Sequence, residues 1–107
     1  MRLTQLYSGD INSNTTVNLS SSASSFTWLL VIAGQDSANG VEGFIVQKGK
    51  GSPLSVCVLE TNYGLTVYQR IITITDSQIA TGVGYYWRTT GLGTGNYFHI
   101  WKVYGLA

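Results

Sequence analysis

Short runs in which apolar and polar residues alternate, separated by turn-forming clusters, constrain the fold of this chain more than any other feature. Residues 54–60 read LSVCVLE and residues 70–76 read RIITITD. In a strand, such alternation turns successive side chains towards opposite faces, one apolar and one polar. Clusters rich in Gly, Ser, Asn and Asp separate the runs at about every eight to twelve residues, as in all-β domains. The sequence therefore predicts an all-β chain.

The alternating runs predict eight strands, at residues 4–8, 16–19, 26–33, 43–48, 54–60, 66–75, 84–89 and 97–104. Because no helices cover them, the strands must bury their apolar faces against a second sheet. We expect one domain over residues 1–107, an antiparallel β-sandwich of jelly-roll-like or Greek-key type with seven or eight strands. A closed barrel is the alternative. A single helical turn at residues 76–79, capped by Asp76, is the one helical element considered.

The run FTWLLVIAG at residues 26–34 is apolar at both alternating sets of positions. Phe26, Trp28 and Leu30 share one face, and Leu29 and Val31 share the other. This pattern is typical of a central strand that is covered on both sides.

Charge and hydropathy exclude several classes of protein. Only 10% of the residues are charged and the formal net charge is +1, with the Lys and Arg residues scattered, so we expect no nucleic-acid partner. The longest apolar run has nine residues, whereas a membrane helix needs about twenty, so we expect no membrane insertion. The first residues, MRLTQLYSGD, lack the apolar segment of a secretory signal.

Residues that carry catalysis or bind metals are few. His99 is the only histidine, and the five carboxylates are far apart in sequence, without metal-ligand spacing. The sequence also contains no G-x-S-x-G motif, the nucleophile elbow of serine hydrolases. We therefore predict no enzyme activity, no cofactor and no metal, with His99 as a hydrogen-bonded structural residue. Cys57, the only cysteine, is expected to be a small buried side chain.

Aromatic residues are concentrated near the C-terminus, in GYYWR at residues 84–88 and GNYFHIWKVYGLA at residues 95–107. Exposed rings bind sugars or anchor interfaces, and buried rings fill a core. We favour core or subunit interface for most of them. Strict alternation would place Phe98, Ile100, Lys102 and Tyr104 on one face. The predicted subunit-interface residues are Trp87, Tyr97, His99 and Trp101.

Four short motifs occur in the order LYSG at 6–9, a T-x-x-L-S-x-S-like stretch at 17–24, F-x-x-L-x-V at 26–31 and I-x-K-V-Y-G at 100–105. Together they resemble the C-terminal β-sandwich module of bacteriophage and prophage tail-fibre and minor tail proteins. The resemblance implies a homotrimeric fibre tip in the virion tail that binds a host cell-surface glycan or protein. It transfers no catalytic residue.

Variable loops would form the recognition surface of such a tip. The candidate receptor-contact residues in these loops are Gln35, Asp36, Asn39, Lys48, Lys50, Asn62, Tyr63, Thr94 and Asn96. Two alternatives remain open: a structural subunit that contacts other tail proteins without touching a receptor, and a small carbohydrate-binding module.

Overall fold

The computed structural model describes residues 2–36 and 41–107, and this part of the chain is all-β. Two antiparallel sheets pack face to face, so the predicted β-sandwich is confirmed. The described strands are β1 Leu3–Ile11, β2 Thr16–Asn18, β3 Trp28–Gln35, β4 Glu42–Gln47, β5 Ser52–Glu60, β6 Gly64–Ile74, β7 Gln78–Arg88, β8 Gly91–Thr94 and β9 Phe98–Leu106.

Sheet I has the order β1-β9-β3-β4, and sheet II has the order β2-β7-β6-β5. Strand β8 also pairs with β7, beyond β2 along the same edge. The chain changes sheet between β1 and β2, β2 and β3, β4 and β5, and β8 and β9. These crossings bring the strands at the two ends of the chain together in sheet I, where β9 lies between β1 and β3.

The predicted alternation holds in sheet II. Leu54, Val56 and Val58 of β5 are buried, as are Ile72 and Ile74 of β6. Cys57 has the opposite orientation and is exposed, so the prediction of a buried thiol is wrong. The alternation of β5 is as predicted, but Cys57 lies on the outer face of sheet II, which no other part of the described chain covers.

Strand β3 is central in sheet I, as predicted, but only one of its faces is fully covered. Leu29, Val31 and Ala33 are buried between the sheets, whereas Trp28 is 49% exposed on the outer face. Coverage of both faces is therefore not present in the single chain.

The helical turn predicted at residues 76–79 does not form. Instead, the Thr75 amide donates to the Gln78 carbonyl at 2.9 Å and the Gln78 amide donates to Thr75 Oγ1 at 3.2 Å, which closes a tight reversal between β6 and β7. Strand β7 consequently begins at Gln78 rather than at residue 84. Ile79 and Thr81 are both buried on the inner face of this added length.

The segment GLGTG at residues 91–95, which includes the predicted loop residue Thr94, contains edge strand β8. Arg88 pairs with Gly91 across a two-residue turn, and Gly91 adopts φ +128°, a conformation that favours glycine. The ring of Tyr86 packs over Gly93, where a side chain would collide with it. Thr94 therefore lies on an edge strand and not in a loop.

A β-bulge in β9 breaks the alternation expected near the C-terminus. Ile32 and Ala33 of β3 pair with Lys102 and Ile100, which leaves Trp101 as an extra residue. Phe98 and Ile100 point into the core before the bulge, and Val103 and Gly105 do so after it, while Lys102 and Tyr104 point outwards. The predicted common face of Phe98, Ile100, Lys102 and Tyr104 is therefore wrong.

Arg70 lies at an inward position of β6 and is fully buried between the two sheets. Its guanidinium donates to three backbone carbonyls and one side-chain amide, and burial lowers the pKa of the group. The acceptors are Phe98 O at 3.2 Å, Gly82 O at 2.6 Å, Asn12 O at 3.0 Å and Asn96 Oδ1 at 3.4 Å. They belong to four separate segments, so one side chain joins β6 to the β1–β2 loop, to β7, to the β8–β9 loop and to β9.

We predict that Arg70→Met destabilises the fold by about 3 kcal/mol, because it leaves the buried Phe98 carbonyl and three partly buried acceptors without their donor. Urea unfolding followed by tryptophan fluorescence measures the change. Arg2→Met, at an exposed position, is the control and should change stability by less than about 0.5 kcal/mol. Equal stability of the two variants would contradict this role for Arg70.

Candidate ligand-binding site

Three tyrosines meet at one end of the sandwich. Tyr68 of β6 and Tyr86 of β7 are cross-strand partners that both face inwards, and their ring centroids are 6.4 Å apart. Tyr97, directly before β9, lies 5.9 Å from the Tyr68 ring and 5.8 Å from the Tyr86 ring. Edge-to-face and tilted contacts at these distances are the favourable arrangements of aromatic pairs.

Arg88 is the next inward position of β7 after Tyr86, and its guanidinium stacks on two rings. Its Cζ atom lies 3.8 Å from the centroid of Tyr63, in the β5–β6 turn, and 4.1 Å from that of Tyr86. Such cation–π contacts are worth about 0.5–2 kcal/mol each. Arg88 therefore holds the ring of Tyr63, which is otherwise on an exposed turn, against the end of sheet II.

Glu60 completes the group with hydrogen bonds and charge. The Tyr68 hydroxyl donates to Glu60 Oε1 at 2.5 Å, Arg88 Nη2 donates to the same hydroxyl at 3.3 Å, and Arg88 Nε lies 3.9 Å from Glu60 Oε1. Burial, with the Glu60 hydrogen bond, raises the pKa of Tyr68, and the bond to Tyr68 raises the pKa of Arg88. Arg88 Nε is buried with no hydrogen-bond partner among the described residues. We call this group the tyrosine–arginine cluster: Glu60, Tyr63, Tyr68, Tyr86, Arg88 and Tyr97.

An open cleft of about 270 Å³ lies beside the cluster and is lined by residues 59–63. Tyr63 is 41% exposed, and Tyr97 is 37% exposed. The site thus combines flat rings with a carboxylate, a guanidinium and the side chain of Asn62. In small-molecule sites, a few polar groups beside an aromatic surface usually fix the orientation of the ligand.

The predicted receptor-contact residues divide between the two ends of the molecule. Asn62 and Tyr63 line the cleft. Asp36 is at the same end, since its amide donates to the Tyr97 carbonyl at 2.9 Å. The exposed Lys50 is at the opposite end, in the turn after β4.

Two of the predicted contact residues form polar contacts within the fold, and their contact with a receptor stays a prediction. Gln35 is 5% exposed and donates to Asp36 Oδ1 at 2.5 Å. Lys48 donates to Ala23 O and forms an ion pair of 2.8 Å with Asp76.

The remaining candidate positions have different surroundings. Asn96 is exposed but accepts a hydrogen bond from Arg70, and Thr94 is exposed on β8. Asn39 lies outside the described residues. A receptor contact by any of these residues stays a prediction.

The four predicted interface residues do not form one patch. Tyr97 belongs to the tyrosine–arginine cluster, and Trp87 lies on the outer face of sheet II beside Tyr85, with ring centroids 6.3 Å apart. His99 is 9% exposed and stacks on Trp101 at 5.6 Å. Its Nδ1 atom lies 2.6 Å from Asp10 Oδ1, so the prediction of a hydrogen-bonded histidine is confirmed.

Sequence reasoning missed four members of the cluster: Glu60, Tyr68, Tyr86 and Arg88. The segment GYYWR did contain a signal, because residues two apart share a face of a strand. Tyr86 and Arg88 are such a pair. The sequence alone could predict that Tyr86 and Arg88 point to the same side of the strand. Their contacts with Tyr63 and Glu60 could not be predicted, because they depend on the pairing of β5, β6 and β7.

No family model, no curated protein and no solved structure matches this chain. The similarity to tail-fibre modules therefore stays a prediction from short motifs. Within residues 2–36 and 41–107, no group of three or more His, Cys, Asp or Glu side chains is placed to hold a metal ion. The same residues include no helix of the length and apolarity needed to cross a membrane.

We predict that the tyrosine–arginine cluster makes stability fall at alkaline pH. Because the pKa of Tyr68 is higher in the folded than in the unfolded state, its contribution is complete below about pH 10 and is lost as pH rises through the folded-state value. Urea unfolding between about pH 8 and pH 11 should show a steeper loss for the wild type than for Tyr68→Phe. If the free energy of unfolding fell equally with pH in the two proteins, the raised pKa of Tyr68 would be contradicted.

Proposed function

We propose that the protein is a virion attachment module, of the bacteriophage tail-fibre or tail-tip kind, that binds a host cell-surface glycan at the tyrosine–arginine cluster. It binds and does not catalyse a reaction. The observation that carries the proposal is the position of Arg88 between Tyr63 and Tyr86, next to an open cleft.

The cluster has the chemistry that sugar recognition requires. The apolar faces of a pyranose pack on aromatic rings, and its hydroxyl groups exchange hydrogen bonds with carboxylate, guanidinium and amide groups. Tyr63 and Tyr97 offer exposed rings, while Glu60 and Asn62 line the cleft with polar groups and Arg88 lies behind Tyr63. Because Arg88 holds Tyr63 in place before any ligand arrives, less conformational entropy is lost on binding.

The four short motifs that resemble tail-fibre modules support the placement in a virion.

A structural tail subunit without receptor contact is the second candidate function. The observation that favours it is the uncharged, largely apolar outer face of sheet II, which is suited to assembly. A carbohydrate-binding module attached to an enzyme would use the same cluster, but it would bind its sugar as a monomer.

We predict that the wild type binds host-envelope polysaccharide on an immobilised glycan array and that Tyr63→Ala weakens this binding by about tenfold. Loss of one stacked ring corresponds to roughly 1.4 kcal/mol. Trp28→Ala, which removes a ring of similar exposure from the outer face of sheet I, is the matched control and should bind like the wild type. An array with no binding, or equal losses in both variants, would refute the glycan site.

A further inference from the structure

The cation of the tyrosine–arginine cluster is already engaged within the fold. The Arg88 guanidinium stacks on the rings of Tyr63 and Tyr86. Its Nη2 atom donates to the Tyr68 hydroxyl at 3.3 Å, and its Nε atom lies 3.9 Å from Glu60 Oε1. The charge of Arg88 is therefore compensated by a carboxylate of the same cluster. An anion that entered the cleft would lose its hydration without gaining a free positive partner.

Glu60 keeps one carboxylate oxygen for a ligand. Its Oε1 atom accepts from the Tyr68 hydroxyl, whereas Oε2 has no hydrogen-bond partner among the described residues and is not buried. Glu60, Thr61 and Asn62 line the cleft, so its polar side chains are a carboxylate, a hydroxyl and an amide. A carboxylate only accepts hydrogen bonds, and a sugar hydroxyl donates them. The cleft therefore suits a ligand that presents hydroxyl donors to Glu60.

Carboxylates predominate at the end of the sandwich where the cluster lies. Asp36 directly follows β3 at this end, and Glu42 begins β4 beside the last residues of β3. Asp10, the second-last residue of β1, contacts His99 at the start of β9. These three acidic side chains are exposed. Together with Glu60, they place four of the five carboxylates of the chain at this end.

The other cations of the described chain lie elsewhere or are buried. Lys48 and Lys50 follow β4 at the opposite end of the sandwich, and Arg2 precedes β1 at that end too. Lys102 points outwards from the middle of sheet I, and Arg70 is buried with its donors bonded. The potential outside the cleft is therefore negative and repels acidic ligands over roughly 10 Å at 0.1 M salt.

We propose that the sugar unit bound at the cluster carries no acidic group and that its hydroxyls donate to Glu60 Oε2. The class is that of neutral hexoses and N-acetylhexosamines, as opposed to uronic acids, sialic acids and phosphorylated sugars. An acidic unit in the cleft would bring a second negative charge beside Glu60, and like charges placed together reduce affinity. The inference rests on the proposed function, because it names the class of glycan that the same site takes.

Pairs of oligosaccharides that differ only at C6 test the inference: a neutral hexose chain and the hexuronic acid chain of the same linkage. At about 20 mM NaCl, the neutral member of each pair that binds should bind the wild type about tenfold more tightly than the acidic member. At about 500 mM NaCl, this ratio should fall by about threefold, whereas affinity for the neutral member should change by less than about twofold.

The possible failures of this experiment are distinguishable. A neutral-to-acidic ratio below about threefold at low salt, or tighter binding of the acidic members, would overturn the inference and leave the glycan site intact. If no oligosaccharide of either kind bound, the proposed function itself would be refuted, and this inference with it.

Glu60→Gln removes the charge from the cleft but keeps an acceptor for the Tyr68 hydroxyl. It should weaken neutral binding by about fivefold, since a charged acceptor is replaced by a neutral one, and lower the neutral-to-acidic ratio below about threefold. Glu42→Gln, at an exposed position outside the cleft, should leave neutral binding unchanged and lower the ratio by no more than about twofold. Asp76→Asn, which removes a carboxylate at the opposite end, is the control and should change neither quantity. Equal ratios in the wild type and Glu60→Gln would overturn the role of Glu60.

Discussion

The burial of one arginine between two sheets is the constraint on which the rest of this structure depends. A guanidinium enters a protein interior only when its donors find acceptors. Arg70 meets this condition with oxygens from Asn12, Gly82, Asn96 and Phe98. Two loops and two strands must therefore take fixed positions around β6. Gly84 belongs to the same constraint, because a side chain there would collide with the guanidinium.

The hydrogen bonds of Arg70 also help to position the tyrosine–arginine cluster. Asn96, which accepts from Arg70, is followed directly by Tyr97, and Tyr97 packs against Tyr68 and Tyr86. Arg88, one further inward position along β7, then fixes Tyr63. The exposed rings are thus supported from beneath, Tyr63 by the Arg88 guanidinium and Tyr97 by the rings of Tyr68 and Tyr86. The two arginines have different structural roles. Arg70 joins two loops and two strands to β6, and Arg88 positions the ring of Tyr63 that a ligand would contact.

Alternation in the sequence predicts the sheets well where a strand is regular, as in β5 and in the second half of β6. It fails where the register changes, as at Trp101, because one extra residue reverses every side chain that follows. The cluster was only partly predictable. Asn62 and Tyr63 were chosen as turn residues, but the partners of Tyr63 depend on which strands pair. The sequence also gives no sign that Gln35 and Lys48 form polar contacts within the fold, because those contacts depend on the tertiary structure.

The central claim is that the tyrosine–arginine cluster binds a glycan, and NMR titration of the labelled protein with purified host polysaccharide tests it most directly. Arg88 Nε–H is buried without a hydrogen-bond partner in the described part of the chain, so its resonance should be a local reporter. The account predicts saturable shifts at Arg88 Nε–H and at the amides of Asn62, Tyr63 and Tyr97, with none at Trp28. Shifts confined to other surfaces, or no shifts at saturating polysaccharide, would contradict it.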